Sequence, residues 1–253
     1  MKVKRFAFLK ICPVLFMSLA VLGCQPPANS VATLAQTDQM MTIEAKTVPV
    51  KGAAQVVCEK EGCVRFDLHT LDTNLDWIDD YFIARIRDTE PVAFTRVTQK
   101  NPKKADEPHY LDQRLIKVEF IAQHGHLATF ALKSSNLARN KAASWQHVEY
   151  INFDLKQKKR LALHQLMSGG GEQKLLKALY RANARWLDQQ GINLQQFKLS
   201  DNYYFDQQGL VMVYPPGELS SATTAMSELN LSYADLSEVI RPEYLAILQS
   251  RTS

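Results

Sequence analysis

Apolar positions divide the 253-residue chain into three stretches. From near Phe6 to Leu22 hydrophobicity is almost continuous; Gln25 to about Met41 is rich in Pro, Ala, Ser, Thr and Gln; from Thr42 onward short periodic segments alternate with polar breaks. The middle stretch has little to bury and reads as a flexible tether over residues 24–41. In the third stretch, Ile43, Ala45 and Thr47 alternate with Glu44 and Lys46, as in a half-buried strand over Thr42 to Val50. Val56-Val57 and Val64-Phe66-Leu68 predict the two arms of a hairpin. Leu75, Ile78, Phe82 and Ile86 then recur at helical spacing, predicting an amphipathic helix from about Asn74 to Arg87 that lies on a sheet. Thr73-Asn74-Leu75-Asp76 is a capping-box-like start, with Thr73 accepting from free amides and Asp76 complementing the helix dipole.

Gln99 to His109 is a polar loop, after which Leu115 to Ala122 and Leu127 to Lys133 alternate on either side of a tight turn at Gln123-His124-Gly125-His126. A third strand, His147 to Leu155, runs into Lys156-Gln157-Lys158-Lys159 and returns through Arg160 to Leu163. Beyond Ser168-Gly169-Gly170-Gly171, Glu172 opens a helix to about Gln190, with Leu175, Leu179, Ala182 and Trp186 as its apolar stripe and Gly191 as its C-cap. Tyr203 to Phe205 and Leu210 to Tyr214 flank a turn at Asp206 to Gly209; a strand near Glu228 to Ser232 and short helices from Ala234 and Pro242 finish the chain. Locally paired strands with helices between them indicate an α+β fold. We expect mostly antiparallel sheets with helices packed on one face, in two sub-domains at 42–145 and 146–253.

The first stretch has the layout of an export signal. Lys2, Lys4, Arg5 and Lys10 form a positive head, and Ile11 to Leu22 an apolar core too short to span a bilayer. The run stops at Gly23-Cys24-Gln25-Pro26-Pro27, where two prolines forbid helix continuation. Val21-Leu22-Gly23-Cys24 resembles the lipobox of bacterial lipoproteins, which implies cleavage after residue 23 and a diacylglycerol on Cys24. With Gln25 following the cysteine, the resemblance implies an anchor in the outer membrane, facing the periplasm.

Removing the leader changes the charge argument. Its four bases account for the whole excess of 30 Lys and Arg over 26 Asp and Glu, so the remainder is neutral and offers no basic face for nucleic acid. Of the four cysteines, Cys12 leaves with the leader and Cys24 carries lipid. In an oxidising compartment, Cys58 and Cys63 then read as a local disulfide across a hairpin turn, with Gly62 allowing the reversal. A metal site would need two further ligands that the neighbourhood does not supply, and the Cys-X-X-Cys spacing of a redox pair is absent.

Tyr150-Ile151-Asn152-Phe153-Asp154-Leu155-Lys156, Lys159 to Leu163 and Leu166-Met167 resemble the opening of the RsiV-like domain of unknown function. Tyr203 to Asp206, Gly209 to Pro216 and Leu231 to Leu236 resemble its closing strands and final turn. The likeness covers roughly residues 145–240, and residues 42–145 fit the smaller domain that usually precedes it. Such domains occur in envelope lipoproteins, in the extracellular part of the anti-sigma factor RsiV, where the domain binds lysozyme, and ahead of some peptidoglycan deacetylase domains. The chain departs from the family pattern at Ser144-Trp145-Gln146-His147 and from Pro216 to Ala225, both exposed loops. The resemblance therefore implies the fold more firmly than the ligand.

Candidate chemistry is sparse. His124-Gly125-His126 could sit on a metal only with partners such as His109 or His147, and a turn explains it without them. The glycines at 169–171 lack the Gly-Lys-Ser/Thr of a phosphate loop, and Glu172 would repel an anion there. Asp76, Asp79 and Asp80 fall in the first turns of a helix, where carboxylates are favoured without any ligand. Neither a Gly-x-Ser-x-Gly elbow nor a His-Glu-x-x-His pair occurs, so we expect no catalytic residues, no metal and no cofactor.

Two surfaces remain as candidates for binding. Lys174, Lys177, Arg181 and Arg185 recur at helical spacing as a basic stripe suited to an anionic glycan or lipid headgroup. Tyr203, Tyr204 and Tyr214, beside Pro215 and Pro216, bring aromatics to one end of a hairpin; alternation places half in the core and leaves the rest for a sugar ring or a protein pocket. The expectation is a lipid-anchored periplasmic binding module without enzymatic activity, whose partner is a lysozyme-like muramidase. Peptidoglycan itself is the alternative ligand, and an undetected envelope hydrolase a third reading.

Overall fold

The computed structural model describes residues 41–95 apart from 60–61, then 111–137, 147–221 and 223–250. The leader, Cys24, the tether and most of the two loops around residues 99–109 and 138–146 lie outside the described residues.

The first layer is a seven-stranded sheet. Its strands are β1 (Ala45–Pro49), β2 (Val56–Glu59), β3 (Gly62–Thr73), β4 (Asp112–His124), β5 (Leu127–Leu137), β6 (His147–Asp154) and β7 (Lys159–Arg160). The order is β1-β3-β4-β5-β6-β7, with β2 also pairing on β3. All pairs are antiparallel except β3 with β4, which run parallel from Val64↔Asp112 to His69↔Lys117. A parallel neighbour needs a crossover, and helix α1 (Asp76–Thr89) lies within that connection. Cys58 pairs with Cys63 across β2 and β3, and the two sulfurs are bonded at 2.06 Å, as expected from the spacing. Gly62 is not in the reversal but opens β3, opposite Glu59.

Helix α1 buries the expected stripe of Ile78, Phe82 and Ile86. Against it the sheet presents Phe66, Leu68, Ile116, Val118, Phe130, Ile151 and Phe153. Phe153 is the hub: Trp77, Tyr81, Phe82 and Phe130 surround it with ring centroids 5.0–6.1 Å away. The helix start differs from expectation. Leu75 occupies the cap position without a side-chain bond; the carboxylate of Asp79 accepts from the Thr73 amide and from Thr73 Oγ1 at 2.7 Å. The aspartate thus reaches back to the threonine and orders the approach to the helix rather than its first amides.

The second layer is a three-stranded sheet of β8 (Tyr203–Phe205), β9 (Gly209–Tyr214) and β10 (Ser227–Ser232), in the order β10-β9-β8. Around it lie α2 (Leu163–Leu166), α3 (Gly171–Ala182), α4 (Ala184–Gln189), α5 (Tyr233–Leu236) and α6 (Pro242–Gln249). Their core gathers Leu166, Leu175, Leu179, Leu187, Leu210, Met212, Tyr214, Leu229 and Leu236. The helix expected over 172–190 is broken at Asn183, whose side-chain amide donates to the carbonyls of Leu179 and, across a gap, Asn230. After the break Leu187, not Trp186, is fully buried, and Ala182 is exposed. Gly191 closes α4 with φ +72°, as a C-cap glycine should.

The strand expected to open the second sub-domain belongs to the first sheet: β6 pairs with β5 over its whole length, from Leu127↔Asp154 to Ser134↔His147. Apart from Leu127, which joins the second core, the first core draws on residues 43–155 and the second on residues 161–248, because Ile151 and Phe153 of β6 face the first. Both cores lie within one compact unit that runs from Met40. The fold is α+β with mostly antiparallel sheet.

Candidate functional site

The layers are joined by polar side chains buried along β6. Thr129 donates to Asn152 Oδ1 at 2.7 Å, and Asn152 donates to the Tyr203 carbonyl at 2.8 Å. One position toward the start of β8, Asn202 accepts from the Tyr150 amide and donates to the Val148 carbonyl, both at 2.7 Å. The carboxamide of Asn202 thus stands where the next strand's peptide group would be, because β7 is too short to cover this part of β6.

This junction settles the fate of the three candidate tyrosines. Tyr203 and Tyr214 are core residues, 2% and 1% exposed, with hydroxyls donating to the Leu161 and Lys198 carbonyls at 2.9 Å. Burial pushes both phenols far above their ordinary range. Neither can present a ring to a partner. Tyr214 shares the core face of β9 with Leu210 and Met212, and β9, the central strand of its sheet, is buried at every position. Tyr204 points the other way and lies half-buried on Tyr150 of β6, ring centroids 4.3 Å apart and 30° from parallel. Among the described residues the two hydroxyls accept and donate no hydrogen bond. Desolvation, then the nearby charge of Glu228, raises both phenols above their ordinary value, and Asp206 adds to the effect at Tyr204. Beside the pair on the same sheet face, Glu119 is clamped between Lys117 at 2.6 Å and Lys133 at 2.5 Å, which holds its carboxyl below the usual range. In the sequence, Tyr150 stands out only within the segment that carries the family resemblance. The one signal that could have linked it to Tyr204 is its place on the opposite face of β6 from Ile151 and Phe153.

The basic stripe is only partly assembled. Lys174, Lys177 and Arg181 line one wall of a groove of about 330 Å³; Ala234, Asp235, Ser237, Glu238 and Val239 form the other, and Ala178 also contributes. Arg185 lies beyond the break at Asn183 and is not among the lining residues. Lys174 Nζ is 3.8 Å from Glu238, whereas Lys177 and Arg181 make no ion pair among the described residues. Asp235 is engaged by Ser232, whose hydroxyl donates to its carboxylate at 2.6 Å.

Other sequence candidates have structural duties. Asp79 ties Thr73 down, as above. His126 stands 3.9 Å from the buried Asp154, whose carboxylate accepts from the Gln157 amide and side chain. His124 is half-buried with Nδ1 unpartnered, and burial lowers its basicity. Among the described residues no cluster of three or more His, Cys, Asp and Glu could hold a metal ion, and no helix is long and apolar enough to cross a membrane.

No family model and no curated protein matches the chain. Solved structures do. A DUF3298 family protein from Pseudomonas aeruginosa PAO1 superposes with a TM-score of 0.56 at 16% identity, over 80% of this chain and 96% of its own. A member of the same family from Bacteroides fragilis NCTC 9343 gives 0.57 at 13% identity, over 84% and 99%. The chain shares the fold of these bacterial proteins across nearly their full length.

Proposed function

We propose that this chain is a binding module of the bacterial envelope, held to the outer membrane by lipid on Cys24, and that its partner is a lysozyme-like muramidase. One observation carries the reading: Tyr150 and Tyr204 are stacked, fixed by the Asn202 bonds to β6, and among the described residues neither hydroxyl is hydrogen-bonded, beside the charge of Glu228. Rigid tyrosines lose little conformational entropy on being covered, which is why they dominate the energetics of protein interfaces. The carboxylates of Glu228 and Asp206 suit a cationic partner, and an enzyme that works on an anionic wall carries positive charge to reach it. The module acts by binding, without catalysis. The test mixes the detergent-purified full-length protein with chicken-type, goose-type and invertebrate-type lysozymes and follows both complex formation and lysis. At least one should bind at micromolar concentration and lose lytic activity. Tyr204→Ala should weaken that complex by about tenfold or more while the circular dichroism spectrum is unchanged. Absence of binding to all three defeats the proposal.

A second reading, attachment to peptidoglycan, is favoured by a different observation: Lys177 and Arg181 line the α3 groove and make no ion pair among the described residues. Sedimentation with purified sacculi decides it. Recovery entirely in the supernatant, or sedimentation unaffected by Lys177→Glu with Arg181→Glu, counts against it.

A further inference from the structure

We infer that the groove between α3 and the α5 turn takes a small zwitterion of the amino-acid class, with carboxylate and free ammonium on one molecule; this deepens the peptidoglycan reading and is independent of the tyrosine pair. The argument starts from the sign of each wall. Lys177 and Arg181 are four residues apart on α3 and so stand one above the other on the same face, with Lys174 one turn earlier. Opposite them is Glu238, its side chain 81% exposed and, among the described residues, held by the 3.8 Å contact with Lys174 alone. Asp235 adds a second negative charge, already committed to the Ser232 hydroxyl. Ala178, Ala234 and Val239 supply apolar surface between the charges. A simple anion drawn to Lys177 and Arg181 would face the carboxylates of the other wall, and a simple cation would face the bases. A molecule carrying both signs satisfies both walls and can replace Lys174 as the partner of Glu238.

The walls are also held in place before any ligand arrives. The Ser168 amide donates to the Val239 carbonyl at 2.9 Å, and its hydroxyl reaches the same oxygen at 3.1 Å. At Gly171 an added Cβ would lie 2.9 Å from that carbonyl and 3.0 Å from Met167 Cβ, so the start of α3 sits directly against the segment that carries Glu238. The glycine is there for close approach. A volume of about 330 Å³ lies at the small end of the range for ligand pockets, roughly 300–1,000 Å³, which suits one amino-acid unit better than a glycan strand.

Calorimetric titration of the full-length protein in detergent tests this with three probes. These are meso-diaminopimelate, pimelate (the same carbon chain and carboxylates without the amines) and 1,5-diaminopentane (the amines without the carboxylates). Diaminopimelate should bind saturably in the millimolar range, with pimelate and the diamine each weaker by about fivefold or more, the scale of exposed ion pairs. Lys177→Glu with Arg181→Glu should abolish binding, and Glu238→Gln should bring diaminopimelate and pimelate together. Thermal melts confirm that these exposed substitutions leave the fold intact. Pimelate binding as tightly as diaminopimelate, or no saturable binding of any probe, overturns the inference. Sacculi that sediment the protein while pimelate matches diaminopimelate would overturn the zwitterion alone and leave the peptidoglycan reading standing.

Discussion

Carboxamide side chains stand in for missing strands at several points in this protein. An amide group offers one acceptor and one donor site in the same plane, as a peptide group does. Asn202 completes the edge of β6, and Asn183 pairs with both the amide and the carbonyl of Asn230 on the outer edge of β10. Asn152 is the buried counterpart, accepting from the Thr129 hydroxyl and donating to the Tyr203 carbonyl. Replacing it leaves buried polar groups unmatched, so Asn152→Ala should cost about 1–3 kcal/mol in denaturant unfolding. His124 gives a pH signature. Burial holds its folded-state basicity below the usual imidazole value of 6.5, so the unfolded chain takes up this proton first as pH falls. The associated stability is complete above that value and declines below it. Thermal midpoints measured from pH 7 down to 5 should fall more steeply for the native protein than for His124→Gln.

At the scale of elements, what was legible depended on how local the cause is. Helix α1 and strand β4 follow from periodicity because each buries mainly one face, and β5 and β6 from their apolar runs, although residues 127–132 and 151–154 are buried at every position. Three features were not legible, and each depends on a distant residue. The break in the 172–190 helix comes from Asn230, 47 residues from Asn183. The place of β6 in the first sheet comes from its pairing with β5, which outweighs nearness in sequence to the second sheet. Full burial of β9 comes from its central place, which alternation cannot report. Gly209 is a further case: an added Cβ would stand 2.0 Å from the Leu231 carbonyl oxygen, so β9 and β10 can pair there only around a glycine. Gly209→Ala should force the strands apart and destabilise the protein by roughly 1–3 kcal/mol or more, read from the shift in urea midpoint.

For the whole molecule, the segment that carries the family resemblance proves to be structural. Phe153 centres the first core, Asn152 bonds the layers, Asp154 holds the β6–β7 turn, and Leu161, Leu163 and Leu166 fill the second core. Resemblance in such residues transmits architecture, consistent with solved structures of the same fold at 13–16% identity. The two candidate surfaces were half legible. Three of four bases came together because one helix sets their spacing, while Arg185 lies past a break that the spacing did not reveal. Of the tyrosines only Tyr204 lies at the surface, and its companion Tyr150 comes from another strand.

The amino end enters the body through a grip of the same carboxamide kind. Gln123 donates to the Met41 carbonyl and accepts from the Ile43 amide, while Asn74 accepts from the Glu44 amide and donates to the Thr42 carbonyl. Tension applied from that end therefore meets two side-chain clasps first and then β1, an outermost strand whose bonds to β3 open one after another, like a zip. The aromatic interior beneath α1 would carry no load until that seam had parted, so a pull on the amino end is absorbed at the rim.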